Sequence, residues 1–276
     1  MNLEPSEISK DGSPAAGGPE PRPFAAPCRA LPADAPLRWI RLGWNDLRRA
    51  PAQSLGYGLM MLALTYGIAA VTWWWGNIGL YLGMLSGFVF VGPCLAMGLY
   101  AISIQLERGQ ASGVAGSLLA ARGQIGNAMV FALTLTVVFL LWARAAMVLY
   151  VFFPGGSGRT PADLLLFLGI GSSVGAVFCS IVFAASAFSL PMLMDRKVDS
   201  ISAVVSSVNA VLSNKKAMLV WASIIAGCVV LGLLTAFIAF LVLLPLLGYA
   251  TWHAYRDAID ASTWPPLNEH RAAQQG

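Results

Sequence analysis

Charge is what this sequence lacks. Lys, Arg, Asp and Glu together supply 11% of its 276 residues, against about 25% in an ordinary soluble domain. Too few charged side chains remain to coat a water-facing surface, which excludes a soluble fold. Histidine occurs only at His253 and His270, too sparsely for a haem-copper centre or a His-rich metal site. The cysteines Cys28, Cys94, Cys179 and Cys228 are widely spaced, and three lie inside apolar stretches. Neither a disulfide framework nor a CxxC pair follows from that spacing, and all four read as packing residues. The net charge of +4 does not indicate nucleic acid, because the basic residues cluster at the ends of apolar runs, as membrane-orienting residues do.

What the chain has in abundance is apolar length. Hydrophobic residues make up 57%, in runs of the roughly 20 residues that one helical crossing needs. The expected class is all-α and polytopic, with crossings near 55–75, 78–104, 128–153, 164–194, 217–234 and 236–255. Trp73, Trp74 and Trp75 close the first run as an interfacial aromatic belt. The final run, Ala217 to Tyr255, holds 39 residues. As one helix it would measure about 58 Å, nearly twice the ~30 Å hydrocarbon core. Two crossings with a turn near Gly232 to Thr235 fit better than one tilted span, so six are expected and five is the alternative.

Orientation follows from the cations. With six spans and an inner N-terminus, Arg38, Arg41, Arg48, Arg49, Arg108, Arg122, Arg196, Lys197, Lys215, Lys216 and Arg256 fall inside, and Arg159 alone falls outside. That bias places both termini in the cytoplasm. Residues 1–36, interrupted by eight prolines, read as a disordered tail; 37–260 form the membrane domain and 261–276 a short polar tail.

An irregular threefold repeat runs through the membrane domain. Ahead of the first, third and fifth spans lie amphipathic segments expected on the cytoplasmic face of the membrane. The clearest sets Ile201, Val204, Val205, Val208, Val211 and Leu212 against Ser202, Ser206, Ser207 and Asn209. Val114, Leu118, Ala121 and Ile125 form a second. Trp39, Ile40, Trp44 and Leu47 form the third, where Arg38, Arg41, Arg48 and Arg49 suit anionic lipid headgroups. Within the second, fourth and sixth spans, Pro93, Pro191 and Pro245 precede the polar exits Glu107-Arg108, Asp195-Arg196 and Arg256-Asp257.

Three stretches carry a resemblance. They are Gly43-Trp44-Asn45-Asp46-Leu47 with Gly56-Tyr57-Gly58, Val91 to Tyr100 with Leu106-Glu107-Arg108-Gly109, and Pro245 to Asp257 with its closing Trp252-His253-Ala254-Tyr255-Arg256-Asp257. Together they resemble a bacterial integral-membrane family known as domain of unknown function 2189, over roughly residues 37 to 260. The resemblance implies a multi-span helical fold in the bacterial inner membrane and no activity. Tyr249 departs from the family pattern, in which a second histidine commonly precedes Ala-Thr-Trp-His.

Arg144 is the single charge well inside a span, which marks it as a candidate contact for an anion or a lipid headgroup. Snorkelling to the outer surface is the plainer reading. His253, Arg256 and Asp257, like Glu107 and Arg108, are candidate ligand or partner contacts, or simply interfacial anchors. Gly171-Ser172-Ser173-Val174-Gly175 matches G-x-S-x-G, but inside an apolar helix and far in depth from His253, so no catalytic residue is assigned. Gly79, Gly83 and Gly87, and Ser172, Ala176 and Ser180, place small residues every fourth position for helix packing within the chain, or for a homodimer. The expected function is a non-enzymatic envelope-organising or accessory protein, without a cofactor and with the bilayer or another membrane protein as partner. A transporter of a small or anionic solute using Arg144 is the alternative, and a lipid-modifying enzyme the remotest.

Overall fold

The computed structural model describes residues 24–75, 95–109, 125–152 and 160–267. Those residues form helices joined by short connections: α1 Ala35–Arg49, α2 Pro51–Trp75, α3 Leu95–Glu107, α4 Ile125–Phe152, α5 Pro161–Ser186, α6 Ser189–Asp195, α7 Ser200–Ser213, α8 Lys215–Leu234 and α9 Phe240–Ala258. Among the described residues, four stretches are long and apolar enough to cross a membrane, namely Pro51–Trp74, Ile125–Leu149, Pro161–Asp195 and Lys215–Leu234.

Local chemistry explains the boundaries. Thr160 and Asp163 open α5 with a reciprocal capping box, Asp163 N–H on Thr160 Oγ1 at 3.2 Å and Thr160 N–H on Asp163 Oδ2 at 3.0 Å. Ahead of Pro191 the chain breaks at Ala187-Phe188 and restarts as α6, which puts the proline in a first turn where its missing N–H is not needed. The long final run divides at Thr235–Ala239, inside the length but slightly beyond the position expected. Ala236 and Phe237 turn there with φ of 49° and 69°, a left-handed conformation that costs non-glycine residues about 1–2 kcal/mol each. The Tyr66 hydroxyl donates to the Ala236 carbonyl, and the Phe237 ring packs edge-on to Tyr66 at 6.4 Å.

Pro245 lies in the interior of α9 and deprives the Leu241 carbonyl of its regular helical partner. Against that carbonyl sits Gly58 of α2, where an added methyl would stand 2.0 Å from the oxygen. The backbones of α2 and α9 therefore meet, with the Gly58 Cα–H facing the freed acceptor.

The core occupies one end of the bundle. Trp39, Trp221, Trp252, Tyr255, Phe188 and Met192 are all buried there, with Trp39 edge-on to Trp221 at 5.6 Å. Along α4, α5 and α8, by contrast, Leu133, Leu141, Leu165, Val177, Val230 and Leu234 are exposed, as surfaces facing lipid are. Trp73 and Trp74 at the far end of α2 are exposed as well.

Two differences from the sequence reading concern the tails. Residues 24–34, assigned to the disordered tail, form a strap over the closed end of the bundle. Ala26 N–H donates to Ser206 Oγ at 2.8 Å, Arg29 N–H to the Ala258 carbonyl at 2.9 Å and Leu31 N–H to Asn214 Oδ1 at 2.8 Å. Proline excludes helix from such a strand but leaves enough N–H and C=O groups for pairing. Residues 261–267, assigned to a polar tail, are also docked: Trp264 is buried, and the N–H groups of Lys197 and Leu267 donate to the carbonyls of Pro265 and Asp195. Cys28 and Ile259 form an antiparallel bridge, so the two ends of the described chain meet.

Candidate functional site

The polar residues of the structure converge where α9 ends. One turn and a half of that helix sends successive side chains to different neighbours. Trp252 Nε1–H donates to Glu107 Oε1 at the end of α3, at 2.8 Å. His253 Nε2 lies 2.9 Å from Asp46 Oδ2 on α1. The Tyr255 hydroxyl donates to Asp195 Oδ2 at the end of α6, at 2.8 Å. Asp257 accepts Trp39 Nε1–H of α1 at 2.9 Å and pairs with Arg38. Arg256 reaches Asp195 at 3.5 Å while its guanidinium lies 6.0 Å from the Trp252 ring. Arg196 adds a second cation to Asp195 at 2.9 Å and donates to the Trp264 carbonyl.

Asp46 is the best enclosed of the acids, and its Oδ2 also accepts from the buried Ser103 hydroxyl at 2.8 Å. Serine, histidine and aspartate thus come together, but serine and histidine both bond the carboxylate rather than each other. The shared carboxylate thereby ties α1, α3 and α9 together. Beside this group the Ser54 hydroxyl and the Tyr249 hydroxyl are 2.8 Å apart, tying α2 to α9. Tyr249 therefore holds two helices together.

Among the residues flagged from sequence, the structure joins Glu107, His253, Arg256 and Asp257 into this one cluster and leaves Arg108 exposed beside it. Arg144 is separate. It is exposed on α4 and makes no hydrogen bond or ion pair among the described residues. Ser173 is exposed on α5, its hydroxyl donating to the Gly169 carbonyl of its own helix at 2.8 Å. Ser172, Ala176 and Ser180 are likewise exposed, whereas Gly79, Gly83 and Gly87 lie outside the described residues. The segment Val114 to Ala121 lies outside them too.

The basic residues of α1 divide. Arg38 pairs with Asp257 and Arg49 approaches the Leu106 carbonyl at 3.5 Å, while Arg41 and Arg48 remain on the exposed face with Trp44 and Leu37. Arg48 stacks over the Trp44 ring at 5.4 Å. Trp39, grouped from sequence with the lipid-facing residues, instead belongs to the protein core. Its stripe with Gly43 and Asp46 packs on α9, and a methyl at Gly43 would meet the Ala250 nitrogen at 2.8 Å. Asp46, Ser103 and Asp195 were not singled out as site residues. For Asp46 a signal existed, since it follows Trp39 by seven residues and Gly43 by three on one helical face.

Between α4, α5 and α8 lies an apolar hollow of about 710 Å³ bordered by Phe139, Trp142, Phe178, Phe183 and Ile225. Arg144, two residues beyond Trp142, projects from a different side of α4 at 100° per residue. Among the described residues no three His, Cys, Asp or Glu side chains are grouped so as to hold a metal ion.

No curated protein and no solved structure matches the chain. Residues 80–195, a stretch that contains Glu107 and Asp195 but ends before the Trp252 to Asp257 segment, match the family described as predicted integral membrane protein (DUF2189).

Proposed function

We propose that this chain is a non-enzymatic accessory or organising protein of the bacterial inner membrane, with six crossings and both ends in the cytoplasm. The observation that carries the reading is the use made of its polar side chains. Trp252, His253 and Tyr255 bond the carboxylates of Glu107, Asp46 and Asp195 in the same chain, and Asp257 accepts from Trp39. Groups engaged in this way fasten helix ends and are not free to act on a substrate. Six crossings draw support from the way the chain returns to one face. Arg49 before α2 approaches Leu106 at the end of α3, Ser200 after α6 bonds the Asn127 carbonyl near the start of α4, and Cys28 pairs with Ile259 after α9. Arg41, Arg48 and Trp44 then face the headgroups of the inner leaflet.

Mild-detergent purification from crosslinked membranes tests the accessory role: a reproducible membrane-protein partner or a second copy of the chain supports it. Reporter fusions after Gly156 and after Gly276 test the topology, and a periplasmic signal from the C-terminal fusion would remove the sixth crossing. Transport of a small anionic solute is the second reading, favoured by the exposed and unpaired Arg144. Solute flux in proteoliposomes that Arg144→Lys reduces would favour transport over the accessory role, because lysine keeps the charge and loses the planar fork.

A further inference from the structure

Helix α7 is amphipathic in the sense opposite to a helix of a soluble protein. Its buried residues are Ser202, Ala203, Ser206, Ser207 and Ala210. The serines are bonded inward: Ser206 Oγ accepts from Ala26 N–H of the strap, and Ser207 Oγ accepts from Phe188 N–H while donating to the Ala184 carbonyl. Half a turn away, Ile201 and Leu212 are 66% and 58% exposed and Val205 and Val208 between them are half-buried, while Val204 and Val211 pack against the core. In water such an arrangement would be upside down, leaving the larger apolar side chains to solvent. At a bilayer surface it places them where apolar burial is favourable.

The charges at the ends of α7 define what it faces. Lys197 precedes it, and Lys215 and Lys216 follow it across Asn214; all three are exposed and make no ion pair among the described residues. Neighbouring acids are already engaged. Asp199 caps the helix through Ser202 N–H at 2.9 Å, and Asp195 is held by Tyr255, Arg196 and Arg256. Both ends of the helix also adjoin stretches with membrane-span character, since Pro161–Asp195 ends before it and Lys215–Leu234 begins after it. The 14 residues of α7, about 20 Å of helix, therefore run between two points at the mouth of the bilayer.

We propose that α7 is a seat for anionic phospholipid, with Ile201, Val205, Val208 and Leu212 against acyl chains and Lys197, Lys215 and Lys216 receiving headgroup phosphates. The proposal rests on the topology argued above, which puts this face at the inner leaflet.

Full-length protein is purified in mild detergent and lipid retention is measured by native mass spectrometry with phosphatidylglycerol, phosphatidylcholine and glycerol 3-phosphate as separate probes. Preferential retention of phosphatidylglycerol over both other probes is expected. Each basic residue near an anionic surface is worth about 1 kcal/mol, roughly a fivefold change in affinity, so Lys197→Gln/Lys215→Gln/Lys216→Gln should lower phosphatidylglycerol retention by about tenfold or more. Arg41→Gln/Arg48→Gln, which removes cations that meet headgroups from α1 instead, should lower retention less than the lysine variant does. The lysine side chains make no hydrogen bond or ion pair among the described residues, so the triple variant should melt with the parent, separating lipid loss from misfolding. Equal retention of phosphatidylcholine, binding of glycerol 3-phosphate alone, or an unchanged triple variant would overturn the seat. Since reporter fusions read the topology independently, a null lipid result with the expected fusion pattern counts against α7 alone.

Discussion

Gly58→Ala is the sharpest test of how the helices are held together, because it adds one methyl at a backbone contact. That methyl would lie 2.0 Å from the Leu241 carbonyl oxygen and 2.8 Å from its carbon, where ordinary contact begins at 3.4 Å. Neither atom belongs to a side chain that can rotate away, so α2 and α9 must separate by more than 1 Å. Overpacking of this kind costs about 1–3 kcal/mol, opposed by a helix-propensity gain of about 1 kcal/mol for alanine over glycine. A control lies nine residues along the same helix, for Gly67→Ala would meet nothing within 4 Å. Gly43→Ala, with the Ala250 nitrogen at 2.8 Å, falls between. Detergent unfolding followed by the fluorescence of the nine tryptophans should rank the variants Gly58, Gly43, Gly67 from least to most stable, with Gly67→Ala equal to the parent or above it. If Gly58→Ala unfolds together with Gly67→Ala, the close crossing of α2 and α9 is refuted.

Other outcomes follow from the helix-end cluster and the strap. Trp252→Phe removes the donor to Glu107, a bond to a charged group worth about 1.5–3 kcal/mol, whereas Glu107→Gln keeps an acceptor and should be milder; unchanged melting of both would deny the contact. Asp199→Ala removes the cap of α7 and should cost about 1 kcal/mol. Hydrogen bonding from the Ser202 N–H, foremost, holds the Asp199 carboxyl below its ordinary value. Its contribution is therefore complete above the usual carboxylate range and disappears as pH falls through the depressed value, so parent and variant melts should differ at about pH 6 and converge near pH 2. Deleting residues 1–23 should leave melting unchanged, while deleting 1–34 should lower it and open the Ala258 to Asp260 region to protease, because the strap's bonds to Ala258, Asp260, Ser206 and Asn214 are lost.

Much of this architecture is legible in the chain because lipid imposes a simple rule, that an apolar run of sufficient length is a helix. Leu55–Trp75 and Ala128–Phe153 convert almost directly into α2 and α4. Length also betrayed the division of the final run, though not its position, since nothing in Thr235–Ala239 is a turn former and the bend depends on Tyr66 from another helix. The strap was illegible for the opposite reason. Extended chain bonded through its backbone leaves no periodic trace in side chains, and Pro27 and Pro32 looked like disorder. In the cluster, His253, Arg256, Asp257 and Glu107 stood out as polar residues at span ends, but Asp46, which bonds His253, and Ser103, which bonds Asp46, did not, because pairing between distant segments is a property of the fold. For α7 the periodicity separates Ile201 and Leu212 from Ser202, Ser206 and Ser207 as the structure does, but Val204 and Val211 pack against the core and Asn209 is exposed, which depends on neighbours that the sequence does not name.

The strap also sets a timetable for biosynthesis. Ala26 and its acceptor Ser206 are 180 residues apart, and the Arg29 side chain meets the Arg256 carbonyl across 227. At roughly 5–20 residues per second of synthesis, the strap waits on the order of 10–45 s for the segment around Arg256 to follow it. Until then the strap's N–H group at Arg29 lacks its acceptor at Ala258, and the Pro27 carbonyl lacks its donor at Asp260. The clasp between residues 24–34 and 256–260 can therefore close only after all the described helices have been made.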